Sequence, residues 1–287
     1  MSTLLKIEFT IPEETADAAG VFIASKVPQG WEETPTGDGR KFTLYLEDHP
    51  LGQEVVEAFR EHFPEGGVTC SEQESENWAM AWKDFFVPVN CGDTFRIYPP
   101  WLNDDEENGT THIVIEPKMA FGTGHHATTS LCLATIGRLA KADTIGAGQT
   151  FLDLGTGSGI LAIGLSKLGL TGIGLDIDPQ AVACAVENVE ANGVAESINL
   201  AVGSIDCVEE GRLFDLVVAN ILSGPLIEMA GDILARVAPG GALVLSGILA
   251  DKQSDAVAEA YGRHGLGEPQ RFIEGEWICL VWENLRR

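Results

Sequence analysis

Residues 4–11 read LLKIEFTI, which places Leu5, Ile7, Phe9 and Ile11 on one face of an extended segment. Successive side chains of a strand point to opposite sides, so this alternation predicts a half-buried strand. A short helix over about 13–25 follows, then a strand containing Trp31 and a turn at 36–39. A second alternating strand carries Phe42, Leu44 and Leu46; a helix over about 51–63 and a short strand near 67–70 complete the segment. The order β-α-β-β-α-β predicts a small ferredoxin-like α+β sandwich over residues 1–70. No motif with chemistry falls inside it, which leaves it a recognition or structural role.

Residues 71–86, SEQESENWAMAWKDFF, carry Trp78 and Trp82 four apart, the spacing of one helix face, and predict a linker helix. The stretch NDDEENG (103–109) reads as an exposed acidic loop between two strands. From about Gln149 the pattern changes to short apolar runs alternating with helices. TFLDL, ILAIGLSKL, GIGLD, PQAVACAVENVEANG, FDLVVAN, a long helix and GALVLSG follow one another. This is the alternation of a parallel sheet covered by helices on both faces. The end, QRFIEGEWICLVWEN, reads as two strands joined at Glu274–Gly275. An antiparallel pair there, after five parallel strands, predicts a seven-stranded mixed sheet within a second domain over 87–287.

Composition narrows the partners. The chain has 287 residues, 18 of them Lys or Arg against 43 Asp or Glu, for a net charge of −25. Five of those basic and 13 of those acidic residues lie in 1–70, so both halves are acidic. Such a field repels nucleic-acid backbones and anionic lipid surfaces and attracts cationic partners. The opening MSTLLKIEFTIPEE lacks the charged-then-apolar pattern of a signal peptide, and no apolar run approaches the ~18 residues of a membrane span. Six cysteines are scattered without a CxxC pair, as free thiols of a reducing compartment are. The expectation is a soluble cytoplasmic protein, monomeric, without direct contact to membrane or nucleic acid.

Asp153-Leu154-Gly155-Thr156-Gly157-Ser158-Gly159 closes the first strand of the second domain and opens a helix. Glycines let backbone approach a ligand closely, and a helix N-terminus offers unpaired N–H groups. The dinucleotide fingerprint is GxGxxG/A, whereas here the spacing is GxGxG and position 160 is Ile. Asp176 ends the next strand, at the spacing where a carboxylate can accept the hydroxyls of a bound ribose. Together the two features are similar to the signature of class I S-adenosylmethionine-dependent methyltransferases rather than of a nicotinamide-binding domain. Asp153, Gly155, Gly157 and Asp176 are therefore candidate cofactor contacts.

Another strand ends Val217-Val218-Ala219-Asn220-Ile221-Leu222. Strand carboxyl ends line the ligand crevice of an open parallel sheet, so Asn220 is expected beside the reacting group, as the candidate catalytic residue. Methyltransferases of planar amide or adenine nitrogens carry [N/D]PP[Y/F] here, where this chain has Asn-Ile-Leu-Ser. Without that proline and aromatic, adenine and glutamine are disfavoured acceptors.

The segments MAFGTGHHATTSLCL, LDLGTGSGILAI, GLDIDPQAV, VANIL and SGIL, with WAMAWKDFF and IVIEPKMAFGTG upstream, resemble the ribosomal protein L-eleven methyltransferase family (PrmA). The resemblance is carried by about residues 76–287 and is architectural alone over 1–70. It implies a Rossmann-like class I methyltransferase domain behind a ferredoxin-like domain and a linker helix. It also implies transfer of methyl groups from S-adenosylmethionine to lysine ε-amines and an N-terminal α-amine of a basic large-subunit ribosomal protein. Carried onto this sequence, the cofactor contacts would be Thr129, Gly155, Asp176 and Asn220, with Phe121 and Gly122 lining the same pocket. A related methyltransferase acting on another basic protein or a small amine is the alternative. A non-catalytic binder on the same scaffold would have no need of GxGxG, Asp176 and Asn220 together.

The loop FGTGHHATT (121–129) holds two adjacent histidines, His125 and His126. Adjacent side chains diverge, and neither HExxH nor a companion cysteine cluster accompanies them, so no metal site is expected. The glycines read as permitting a turn over the cofactor. Thr129, on the first turn of the following helix, is either a cofactor contact or that helix's cap.

Overall fold

The computed structural model describes residues 3–27, 31–37, 39–46, 49–74, 87–102, 109–116 and 126–285. The chain divides into two compact units, Met1–Phe86 and Val87–Arg287. In the first, β1 (Thr3–Pro12), α1 (Glu13–Lys26), β2 (Glu32–Thr36), β3 (Gly39–Leu46), α2 (His49–His62) and β4 (Gly67–Glu74) follow the predicted order. The four strands pair antiparallel in the order β2-β3-β1-β4, the ferredoxin-like arrangement.

Alternation decides which face the helices cover. Ile7, Phe9 and Ile11 of β1 and Phe42, Leu44 and Leu46 of β3 are buried against Ala16, Ala19 and Ile23 of α1 and Val55, Val56 and Phe59 of α2. Phe9 and Phe59 stack with ring centroids 4.0 Å apart. Trp31 lies just before β2 rather than within it, and β4 runs on through Glu74. Residues 71–74 therefore belong to a strand and not to a linker helix. Pairing with β1, in which Thr3–Thr10 match Gly67–Glu74, satisfies their backbone before any helix could begin. The rest of the expected linker helix, with Trp78 and Trp82, lies outside the described residues, as does 103–108 of the acidic loop.

The second unit opens with a three-stranded sheet, β5 (Val89–Cys91), β6 (Phe95–Tyr98) and β7 (Thr111–Val114), in which β6 and β7 are parallel. Then come α3 (Ala127–Lys141), β8 (Thr150–Leu154), α4 (Ile160–Lys167), β9 (Thr171–Asp176), α5 (Pro179–Ala191), β10 (Ile198–Val202) and β11 (Phe214–Asn220). After them follow α6 (Ser223–Glu228), α7 (Ala230–Leu234), β12 (Val237–Leu249), α8 (Ser254–Gly262), β13 (Gln270–Glu274) and β14 (Trp277–Trp282). The large sheet has the order β10-β9-β8-β11-β12-β14-β13, parallel through β12 and closed by antiparallel β14 and β13. This is the predicted seven-stranded mixed sheet.

Its central strands are apolar on both faces, and two separate cores lie on either side of the sheet. Two helices differ from expectation. The long helix after β11 is broken at Met229, which caps α6 and starts α7. Gly231 there sits under the His264 ring, an approach that a side chain would obstruct. Helix α8, whose Val257, Ala260 and Tyr261 are buried, was not among the predicted elements.

Candidate functional site

The sheet order reverses direction at β8, whose two neighbours are β9 on one side and β11 on the other. Connections leaving the two central strands diverge there and open a crevice at their carboxyl ends. The sequence places its chemistry at that edge. Gly155 and Thr156, directly after β8, both donate their backbone N–H to the Leu175 carbonyl of β9, at 2.8 and 2.9 Å. Gly155 has φ +77°, and a Cβ there would run into Cγ2 of Ile221, just beyond β11. A side chain at this position would be strained and obstructed at once, so the turn requires glycine.

Asp176 ends β9 with both carboxylate oxygens engaged. Oδ2 accepts from the Gly157 N–H at 2.8 Å and Oδ1 from the Asp178 N–H at 3.0 Å. Asp178 in turn caps α5, accepting from the Gln180 N–H. The Gly203 N–H donates to the Asp176 carbonyl, which ties in the exit of β10. Each carboxylate oxygen has more than one acceptor direction, so capacity remains for hydroxyl groups in the crevice. The crevice is a cavity of about 440 Å³ whose wall includes Gly155, Gly157, Asp176, Ile177, Asn220 and Leu222.

Beneath the turn, Asp153 is fully buried and accepts from the Thr156 hydroxyl at 2.7 Å. Burial pushes its carboxyl up to about 7, against the opposing pull of Thr156 and the Ala162 backbone N–H, with the Asp176 charge adding to the rise. Asp153 lines neither cavity described here; its contact is with the turn.

A second cavity of about 310 Å³ shares Asn220, Ile221 and Leu222 with the first and adds His126, Thr128, Gly247 and Trp277. Oδ1 of Asn220 is buried and has no hydrogen-bond partner among the described residues. An amide oxygen removed from water without a donor is costly, which marks a place where a ligand N–H or O–H would be welcome. His126 is the N-cap of α3: its ring accepts from the Thr128 N–H at 3.3 Å, and its Nδ1 lies 2.8 Å from the Thr128 hydroxyl. The ring also meets Trp277 edge to face, centroids 4.9 Å apart. The cap is therefore His126 and not Thr129. Thr129 is buried, its hydroxyl has no partner among the described residues, and it lines neither cavity.

Phe121, Gly122 and His125 lie outside the described residues. Among those described, no cluster of three His, Cys, Asp or Glu could hold a metal, and no helix is long and apolar enough to cross a membrane. Sequence reasoning did not pick out Ile177, Leu222 or Trp277. A signal existed for the first two, since Ile177 and Leu222 are apolar residues just past strand ends, and both are exposed, at 78% and 76%. Trp277 carried no such signal, because its place in the second cavity depends on β14 pairing with β12.

A ligand with vicinal hydroxyls, a flat apolar ring and a polar tail fits Asp176, Ile177 and the buried Asn220 oxygen. Comparison with known proteins points to one family. A family model described as ribosomal protein L11 methyltransferase (PrmA) matches residues 16–284. A curated ribosomal protein L11 methyltransferase of Geobacter sulfurreducens is 46% identical over 210 residues, covering 73% of this chain and 67% of its own. The one of Geobacter metallireducens is 41% identical over 232 residues, covering 78% and 74% respectively. The crystal structure of ribosomal protein L11 methylase from Lactobacillus delbrueckii subsp. bulgaricus superposes with a TM-score of 0.61 at 29% identity. That match covers 68% of this chain and 97% of the other.

Proposed function

Because the chain belongs to the ribosomal protein L11 methyltransferase family, whose enzymes take their methyl group from S-adenosylmethionine, we propose that it methylates amines of ribosomal protein L11. The acceptors are lysine ε-amines and the N-terminal α-amine, and the setting is the cytoplasm. The observation that carries this reading is the buried, unpartnered Oδ1 of Asn220 at the seam of two adjoining cavities. One cavity suits the donor and the other a narrow amine-bearing side chain.

When bound, S-adenosylmethionine supplies an electrophilic methyl on a sulfonium whose departure leaves a neutral thioether. Asp176 would accept the ribose hydroxyls, Ile177 would lie against the adenine, and the glycine turn would face the amino-acid portion. Gly155 and Gly157 hold that turn, Asp153 braces it from beneath, and Thr129 with Phe121 and Gly122 completes the proposed set of cofactor residues. A lysine amine with its usual pKa near 10.4 is protonated at neutral pH and must shed that proton to react. The second cavity favours the neutral form, because Ile221, Leu222 and Trp277 are among its walls and burial penalises the charged one. Asn220 is the catalytic residue in the sense that its oxygen accepts an amine N–H and points the lone pair. Holding the nitrogen about 3–3.5 Å from the methyl carbon, in line with the leaving sulfur, is the larger part of the task. Net charge suits the substrate: an acidic enzyme attracts a basic ribosomal protein and speeds their encounter.

The test incubates the protein with methyl-labelled S-adenosylmethionine and unmethylated ribosomal proteins, and locates label by mass. Label on lysines and the α-amine of L11, strongly reduced in Asn220→Ala, is the expected result. Label confined to another basic protein or to a small amine would move the substrate assignment while leaving the chemistry.

A further inference from the structure

Helix α5 and its C-cap carry two asparagines four residues apart, Asn188 and Asn192, both engaged with backbone elsewhere. Oδ1 of Asn192 accepts from the Val114 N–H at 2.9 Å, and its Nδ2 donates to the Val114 carbonyl at 2.6 Å. Oδ1 of Asn188 accepts from the Glu116 N–H at 3.1 Å, while its Nδ2 donates to the Ser158 carbonyl in the glycine turn at 2.9 Å. Between them, the Ile115 N–H points the other way and donates to Tyr98 of β6 at 3.0 Å.

The geometry explains the spacing. Four helical residues rise about 6 Å and two extended residues about 6.6 Å, so asparagines at i and i+4 match strand positions at i and i+2. The outer edge of β7 and its extension is thus covered by a ladder of side chains where a fourth strand would otherwise pair. The ladder also fixes direction. Val114 meets Asn192 at the end of α5 and Glu116 meets Asn188, one turn nearer its start, so the chain runs antiparallel to the helix.

We propose that Asn188 and Asn192 are positioning residues of the methyl-transfer site. Asn192 holds the Val114 end of the segment, and Asn188 joins its Glu116 end to the glycine turn through Ser158. Neither touches substrate or cofactor. The inference rests on the reading of the cavity as the S-adenosylmethionine site.

S-adenosylmethionine affinity is measured by calorimetry for wild type, Asn192→Ala and Asn188→Asp, with exchange rates of the Val114 and Glu116 amides and unfolding curves without ligand. Asn192→Ala should lose protection of the Val114 amide and raise Kd and KM for S-adenosylmethionine about tenfold while folded, a loss of about 1.4 kcal/mol of binding. Asn188→Asp keeps an acceptor for Glu116 and removes the donor to Ser158. It should retain Glu116 protection and still weaken binding. Folded variants with a lowered unfolding midpoint but wild-type Kd and KM would mean the ladder is only structural, and the inference falls. If Asn188→Asp does not fold, Asn192→Ala decides by the same criterion. Wild type that binds no S-adenosylmethionine would overturn the site reading itself, which is a different failure.

Discussion

Asp153→Asn isolates a buried acid whose ionisation opposes folding. The carboxyl is wholly buried under the glycine turn, and desolvation raises it to about 7 in the folded protein. In the unfolded chain it loses its proton near the ordinary value of about 3.9. Between those two pH values the folded state binds the extra proton, so stability contributed by this group falls as pH rises from about 4 to about 7 and is flat beyond. The interval of about three pH decades at 1.36 kcal/mol each sets the fall at about 4 kcal/mol. Glu8, held low by Lys41 and Lys6, and Glu283, held low by Arg138, slope the other way, but below the ordinary glutamate value of about 4.3, at the foot of this window. Only the difference between wild type and variant is therefore diagnostic. Urea unfolding at half-unit pH steps should give a wild-type-minus-variant free energy that declines through the window and levels above it. A difference constant within about 1 kcal/mol from pH 4 to 8 would refute the argument, because a hydrated Asp153 would titrate alike in both states and a paired one would be ionised throughout that range.

Asp176→Asn leaves one of the Gly157 and Asp178 N–H groups facing an amide NH₂ whichever way the side chain turns, and offers a ribose a neutral acceptor. Losing about 2–3 kcal/mol of charge-assisted hydrogen bonding should raise Kd for S-adenosylmethionine about 30- to 150-fold; a change under threefold in folded protein would show that the ribose is held elsewhere. Tyr261→Phe deletes a buried hydroxyl with no partner among the described residues and should stabilise the fold by about 1 kcal/mol in urea titration. Destabilisation of that size would instead reveal a bridging water. Gly155→Ala combines a left-handed backbone with the collision against Ile221 and should cost about 2 kcal/mol or more of stability. Wild-type melting of that variant would contradict the turn geometry.

The parts of this protein legible in its sequence are those written in local period. β1 and β3 announce themselves by alternation, the central strands by apolar runs, and the glycine turn by what only glycine permits at Gly155. Asp176 and Asn220 could be placed because strand carboxyl ends and the crevice coincide in any open parallel sheet. What was misread depends on contacts distant in sequence. β4 continues through Glu74 because β1 is long enough to pair with it, and no property of residues 71–74 says so. Trp277 reaches the second cavity only because β14 lies antiparallel to β12.

The histidine pair teaches the same lesson from the opposite side. His126 looks like chemistry in the sequence, yet its ring nitrogen serves the Thr128 N–H and its ring packs edge-on with Trp277, so it forms a wall by closing a helix end. Asn188 and Asn192 look like two ordinary polar residues on a helix. Their role follows only once an extended segment 72 residues upstream of Asn188 is seen to lie alongside, in register with them. In this fold a conspicuous histidine shapes a cavity wall, while two inconspicuous amides tie an extended segment to a helix and to the glycine turn.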